Sequence, residues 1–234
     1  MKIALLGYGK MGRIIESIAL ERGHEIVLKK SSNTTFENLE QADVAIDFSV
    51  PNAAVNNIIT CLENNIPVIS GTTGWLEKYD EVTTYCKQQQ GAFLYGSNFS
   101  LGVNIFFELN QHLAKIMSRF KEYQVCLEEI HHTQKLDAPS GTAITLAQDI
   151  ISNSQYNSWS LDKANENEIQ ITAVRQESVP GTHSVFYESP TDQIEIKHTA
   201  YSREGFALGA VLAAEWIIGK KGIFSMKDVL NLND

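Results

Sequence analysis

The sequence is short of positive charge. Its 234 residues hold 19 Lys and Arg against 28 Asp and Glu, a formal net charge of -9 at pH 7. Nonspecific nucleic-acid binding takes most of its affinity from a basic footprint, so that class is excluded. An anionic small molecule is not excluded, since a local cluster of cations outweighs a global sign. Cysteine is scarce too: Cys61, Cys86 and Cys126 are odd in number, far apart and without a Cys-x-x-Cys pair. They suit neither a structural zinc site nor a disulfide framework, and they fit a reducing compartment. Long apolar runs are missing. The opening run 1–7 is too short for a signal peptide, and the stretch 205–214 stops at Glu215 before it could span a bilayer. A cytoplasmic protein with neither membrane nor nucleic-acid partners is expected.

Core material, by contrast, is plentiful. Hydrophobic residues make up 43% and charged residues 20%, which argues against disorder. The length suits one large α/β unit or a larger domain with a smaller one. Over the first hundred residues strand and helix signals alternate. Apolar runs at 3–6, 25–28, 44–48, 66–70 and 92–95 read as strands. Helical spacing marks 11–19, 52–63 and 75–89, with Gly23 stopping the first helix. Such alternation implies a parallel sheet with helices on both faces. Only about a dozen residues separate the second and third strands, near the lower limit for a parallel crossover.

The pattern changes after Asn98. A long amphipathic helix is expected over 103–117. Tyr123, Val125 and Leu127 alternate with polar neighbours as a half-buried strand does. Helix follows at 140–151, a polar surface loop at 152–167, strands at 168–175, 183–188 and 193–200, and a buried helix at 205–219. The expected fold is α/β. A Rossmann-like parallel sheet domain takes 1–102 and 203–234. A smaller α+β domain with a mostly antiparallel open sheet takes 103–202.

The first chemical signal is Gly7-Tyr8-Gly9-Lys10-Met11-Gly12, which follows a strand and opens a helix. Gly7 permits the tight turn, Gly9 lets backbone approach a pyrophosphate, and Gly12 allows close helix–strand packing. The helix N-terminus offers N–H groups to the anion. The bland alternative is a tight turn with no ligand. An acidic residue about 20 positions on would hold the ribose of NAD, but the stretch there reads Lys29-Lys30-Ser31-Ser32. Those residues suit a 2′-phosphate, so NADPH as well as NADH is expected; the alternative is ordinary solvated lysines. Gly71-Thr72-Thr73-Gly74 and Ser97-Asn98-Phe99-Ser100 follow the fourth and fifth strands, at the edge where ligands bind. Asp47-Phe48-Ser49 joins the same rim, unless Asp47 only caps the next helix.

The densest segment runs Glu129-Ile130-His131-His132-Thr133-Gln134-Lys135-Leu136-Asp137-Ala138-Pro139-Ser140-Gly141-Thr142. Histidine is the natural acid or base near neutral pH. Lysine holds a carboxylate or gives up a proton. The N–H groups at Gly141 and Thr142 suit a carboxylate. The plain alternative is a helix cap preceded by surface histidines. Adjacent histidines point different ways on a strand, and no second ligand stands at metal spacing, so no metal is expected.

With those residues in view, the chain resembles the 4-hydroxy-tetrahydrodipicolinate (dihydrodipicolinate) reductases of diaminopimelate and lysine biosynthesis. The likeness runs nearly end to end. It includes the glycine turn through Arg13, Asp47-Phe48-Ser49, the 71–74 loop, Asn98 to Asn104, and His198 to Ala207. Its most specific part is His131-His132-x-x-Lys135 with Asp137 to Thr142. The chain departs from commoner members in being shorter around 29–42 and in lacking their acidic cofactor residue. The resemblance implies NADPH or NADH as cofactor, a small dicarboxylate substrate and a homotetramer. It makes His131 the catalytic acid/base and Lys135 the proton donor. It places substrate on His132, Gly141 and Thr142, with Ser140–Thr142 fixing a carboxylate, and the dinucleotide on Gly7–Gly12, Gly71–Thr73 and Ser97–Ser100, to which the Lys29-Lys30 stretch adds Lys29. Two other classes stand beside it: another NAD(P)-dependent small-substrate dehydrogenase, and a dinucleotide-sensing protein without turnover.

Overall fold

The computed structural model describes every residue except 162, 233 and 234. In chain order it begins β1 (Lys2–Leu6), α1 (Lys10–Glu21), β2 (Glu25–Lys30), β3 (Val44–Asp47), α2 (Pro51–Glu63) and β4 (Val68–Ser70). There follow α3 (Tyr79–Gln88), β5 (Ala92–Tyr95), α4 (Leu101–Met117), β6 (Gln124–His131) and α5 (Gly141–Ile151). The rest comprises β7 (Ser158–Ser160), β8 (Glu168–Arg175), β9 (Gly181–Glu188), β10 (Gln193–Ala200), α6 (Glu204–Ile217), β11 (Gly222–Phe224) and α7 (Met226–Val229). The chain divides into two compact units, 1–101 with 203–234, and 102–202. Among the described residues no helix is long and apolar enough to cross a membrane.

The first unit is a parallel sheet in the order β11-β5-β4-β3-β1-β2. Residues 3–6 of β1 are all buried, and alternate ones enter opposite cores, as the period of two requires. Ile3 and Leu5 pack with Ile15, Ala19, Ala210 and Val211, whereas Ala4 and Leu6 pack with Ile58, Leu62, Val82 and Cys86. Helices therefore cover both faces, α1 and α6 on one and α2 and α3 on the other. The short crossover between β2 and β3 is a 3₁₀ turn at Leu39–Gln41, with Leu39 buried as its plug. The C-terminal segment adds a strand, β11, and a short helix, α7, which the sequence reading did not place. It is tied down where Arg22 donates twice to Glu215 (2.8 Å each) and His24 Nε2 lies 2.7 Å from the same carboxylate.

In the second unit the sheet runs β10-β9-β6-β8-β7. It is open, as expected, but its pairing is mixed rather than mostly antiparallel. β10–β9 and β9–β6 are antiparallel, and β6–β8 and β8–β7 are parallel. For β6–β8 the cause is α5, which lies between those two strands in the chain and makes their connection a crossover. The stretch 152–167 is not wholly loop, since β7 lies in it and Trp159 packs on the core. One face of the sheet carries Val125, Leu127, Ile169, Ile171, Val185 and Tyr187 against Phe106, Ala114, Leu146 and Ile150 of α4 and α5.

In the first unit the tightest approach is at Gly209 of α6, where an added Cβ would lie 1.7 Å from the Phe99 carbonyl oxygen. Glycine-to-alanine exchange inside an exposed helix gains about 1 kcal/mol. Overpacking of about 1–3 kcal/mol outweighs that gain here. Gly209→Ala is expected to lower the thermal midpoint by several degrees; a raised midpoint would show that α6 does not pack so closely on the 96–100 loop.

Candidate active site

In the first unit, the loops after β1, β3, β4 and β5 all leave the carboxyl edge of the parallel sheet. The strand order reverses between β1 and β3, the crevice where such sheets bind ligands. Gly7 has φ +99°, and a Cβ there would meet the Phe48 carbonyl oxygen at 2.1 Å; one at Gly12 would meet the Gly7 carbonyl oxygen at 2.5 Å. Both glycines are dictated by close backbone packing. Gly9 differs, because a Cβ there has nothing within 4 Å, and this N-cap of α1 receives no side-chain cap. The helix start therefore keeps its N–H groups, has no acidic residue in its first turn, and opens onto free space, which fits a phosphate group. Lys29 is not a bare charge: its ammonium pairs with Glu16 and lies 5.2 Å from the centre of the Tyr8 ring. Lys30 lies over Phe36.

Asp47 does not cap α2, whose N-cap is Val50. Fully buried, it accepts hydrogen bonds from Asn57 Nδ2 (2.9 Å), Ser70 Oγ (2.8 Å) and Thr72 Oγ1 (2.8 Å). Burial pushes its carboxyl above the ordinary range, against the pull of those donors. Thr72 Oγ1 also accepts the Ser49 N–H (2.8 Å), so its hydroxyl is spent on joining the two loops. Gly71 lies under the Phe48 ring, and Thr73 is exposed. Phe99 is buried in the core, with its carbonyl oxygen against Gly209 of α6; Asn98 Oδ1 accepts the Ser100 N–H, and Ser97 is exposed.

In the second unit, strand register assembles a cluster that sequence distance conceals. Glu129 and His131 stand two residues apart on β6 and so share a face. The parallel partner β8 sets Arg175 opposite His131, and the antiparallel partner β9 sets His183 opposite Glu129. One face of the sheet thus passes from an apolar core to a polar end. Glu129 is fully buried there. Its Oε1 accepts Arg175 Nη2 (3.2 Å), and its Oε2 accepts the Ser140 N–H (2.9 Å). His131 Nδ1 lies 3.6 Å and His183 Nε2 3.8 Å from that Oε2. The two imidazoles meet edge to face, with centroids 5.0 Å apart.

Ser140 caps α5, its Oγ accepting the Ala143 N–H (3.2 Å) and lying 3.1 Å from His183 Nε2. Gly141 opens onto free space, and Thr142 is half-buried. The loop from β6 to α5 is pinned by Arg175, which donates to the Lys135 (3.3 Å) and Asp137 (2.6 Å) carbonyl oxygens. Lys135 Nζ pairs with both oxygens of Asp137 (2.9 and 2.7 Å), which holds that carboxyl below its usual range. His132 lies beyond the end of β6 and is half-buried. Burial lowers His131, with the Lys135 and Arg175 charges pulling the same way and Glu129 opposing them. Burial takes His183 further, down to about 3. Both rings are neutral at pH 7. His131, Lys135, Ser140, Gly141 and Thr142 therefore belong to one loop and its two ends, as the sequence indicated. Glu129, Arg175 and His183 were missed. Glu129 alone carried a signal, its place two residues before His131.

The chain matches two family models, "Dihydrodipicolinate reductase, N-terminus" over residues 1–99 and "Dihydrodipicolinate reductase, C-terminus" over 102–230. It is 59% identical over 234 residues to a 4-hydroxy-tetrahydrodipicolinate reductase of Christiangramia forsetii, covering 99% of this chain and 98% of that one. A protein of the same name from Methanoregula boonei is 37% identical over 215 residues, 90% of this chain and 83% of the relative. The fold is similar to that of a dipicolinate-bound dihydrodipicolinate reductase from Paenisporosarcina, with a TM-score of 0.77 at 22% identity over 97% of this chain and 98% of that one.

The buried histidines set a pH dependence of stability. An unfolded histidine titrates near 6.5, about the ordinary value. As pH falls from there toward 3, the unfolded chain takes up a proton that folded His183 refuses, so stability falls with pH across that window. His131 and His198, also lowered by burial, act in the same direction. The unfolding midpoint is expected to drop between pH 7 and pH 4.5, and less so in His183→Gln. An equal drop in the two proteins would show that His183 does not resist protonation.

Proposed function

The chain belongs to the dihydrodipicolinate reductase family, and from that premise we propose how its residues divide the reaction. It is an NAD(P)H-dependent oxidoreductase that converts 4-hydroxy-tetrahydrodipicolinate to tetrahydrodipicolinate in the diaminopimelate and lysine pathway. The first unit is the dinucleotide-binding part. Gly7–Gly12 hold the pyrophosphate, and the 71–73 and 97–100 loops meet the remainder. Lys29 stands by the ribose, its charge shared with Glu16. When bound, the dinucleotide would supply hydride, and the 4-hydroxyl of the substrate leaves as water.

The second unit takes the dicarboxylate. The start of α5, with the N–H groups of Gly141 and Thr142, binds one carboxylate, and His132 and Ser140 flank it. Lys135 supplies the proton, exchanging Asp137 for substrate as its partner. His131, kept neutral by burial, is the acid/base beside it, for two cations so close would oppose each other. The carrying observation is that β6 and the α5 cap bring His131 and the Ser140 N–H to one buried carboxylate, while Arg175 ties the Lys135 backbone to the same group. Neither the sensing protein nor a dehydrogenase of other specificity has a use for that assembly. The protein works in the cytoplasm as a homotetramer. The open face of the second sheet, where Cys126, Ile130, Val174 and Phe186 are only half-buried, supports assembly through that unit.

Absorbance at 340 nm, with substrate generated in place, is expected to fall with NADH or with NADPH. His131→Ala and Lys135→Ala are each expected to lower turnover by at least about 100-fold. Near-parental rates in both variants would remove the assignment, and no oxidation of either cofactor by the parent would remove the reaction.

A further inference from the structure

Glu129 has no role in the reaction as just described, although it is the most completely buried charged group of the second unit. Burying a carboxylate costs several kcal/mol unless donors surround it, so its surroundings are tightly specified. Those surroundings are the site itself. Its Oε2 faces three groups: the Ser140 N–H at 2.9 Å, His131 Nδ1 at 3.6 Å and His183 Nε2 at 3.8 Å. Its Oε1 accepts from Arg175 Nη2, which also donates to the Asp137 carbonyl oxygen, while Arg175 Nε donates to that of Lys135.

We propose that Glu129 is the positioning residue of this site: one carboxylate orients the His131 ring and fixes the start of α5, so the acid/base group and the carboxylate-binding helix end share an anchor. This rests on the role given to His131 above. At 3.6 Å that oxygen acts on Nδ1 by its charge, and Nδ1 has no hydrogen-bond partner among the described residues, so the carboxylate favours the tautomer that carries hydrogen there and leaves Nε2, beside Gly181, as the working nitrogen. The same oxygen holds the Ser140 N–H, so a shift of His131 and a shift of α5 are not independent. Ligand-type atoms of Glu129, His131 and His183 lie within 4.8 Å of one another, which invites a metal reading. The arrangement favours the anchor instead, because Arg175 already neutralises this carboxylate and a divalent cation would sit beside a guanidinium.

The groups facing His131 fix the direction of the test. Arg175 comes from β8, His183 from β9 with His198 of β10 behind it, and Lys135 and Asp137 from the loop. Only Glu129 and Asp137 favour a protonated His131, and Glu129 is the stronger influence. The experiment is a nitrogen NMR titration of the histidine rings in the full chain, with His131 assigned by the loss of its signals in His131→Gln. In Glu129→Gln, which keeps an acceptor for Ser140, His131 should titrate about one pH unit lower and lose its tautomer preference. Turnover should fall about tenfold or more, with a smaller change in KM. Arg175→Gln, which frees the carboxylate, should move the titration the opposite way, and it carries the test if Glu129→Gln does not fold. An unmoved or raised His131 titration in Glu129→Gln, or an unmoved or lowered one in Arg175→Gln, overturns the proposal. Because this readout needs no turnover, it is separable from the assignment above. A fully active His131→Ala would sink that assignment, whereas an inactive His131→Ala with an unmoved titration would sink only the anchor.

Discussion

Each unit of this protein is organised around a carboxylate that has been taken out of water. A buried charge must be surrounded by donors or the fold loses several kcal/mol, and this requirement acts on whichever segments supply them. Asp47 at the end of β3 gathers Asn57 from α2, Ser70 from the end of β4 and Thr72 from the loop beyond it. Glu129 near the end of β6 gathers the Ser140 N–H at the start of α5 and Arg175 from the end of β8. In both places the donors sit at strand ends, where the chain leaves regular structure. The segments least determined by strand or helix ladders are thus held by the groups least able to tolerate their loss.

Sheet register decides which side chains meet at these points. In the second unit β6 lies between an antiparallel and a parallel neighbour, so residues far apart in sequence face it at one level. The face that packs against α4 and α5 is apolar over most of its length and polar where it reaches the α5 cap. Burial therefore does two jobs there. It stabilises the unit through Val125, Leu127, Ile169 and Val185, and it keeps His131 and His183 neutral through desolvation. A neutral imidazole beside the Lys135 ammonium is a natural pairing for moving a proton, because neither opposes the other's charge state.

The glycine turn of the first unit follows the same economy of space. Gly7 and Gly12 have no room for a side chain because backbone fills it, whereas Gly9 has room and leaves it open beside the uncapped start of α1. Steric necessity in the first case and open approach in the second are different reasons for the same residue. Lys29 is engaged by Glu16 and Tyr8, so its charge is moderated, in keeping with a family that uses either dinucleotide.

Local periodicity was enough to read β1 to β5, the amphipathic α4 and the cap at Ser140, because those signals lie within a few residues of one another. The motif residues from Gly7 to Gly12, and from His131 to Thr142, were legible for the same reason. β7 and β11 were not, since each has three residues and takes its order from a neighbouring strand. The mixed pairing of the second sheet was half visible, for a helix between two strands already implies a crossover. What the chain could not declare was that Asp47 ties loops rather than capping α2, that Phe99 turns into the core, or that Arg175 and His183 reach Glu129. Sequence by itself determined the elements and the chemistry available to them. Tertiary structure alone decided the partners, because register sets distant side chains face to face and burial then fixes their charge.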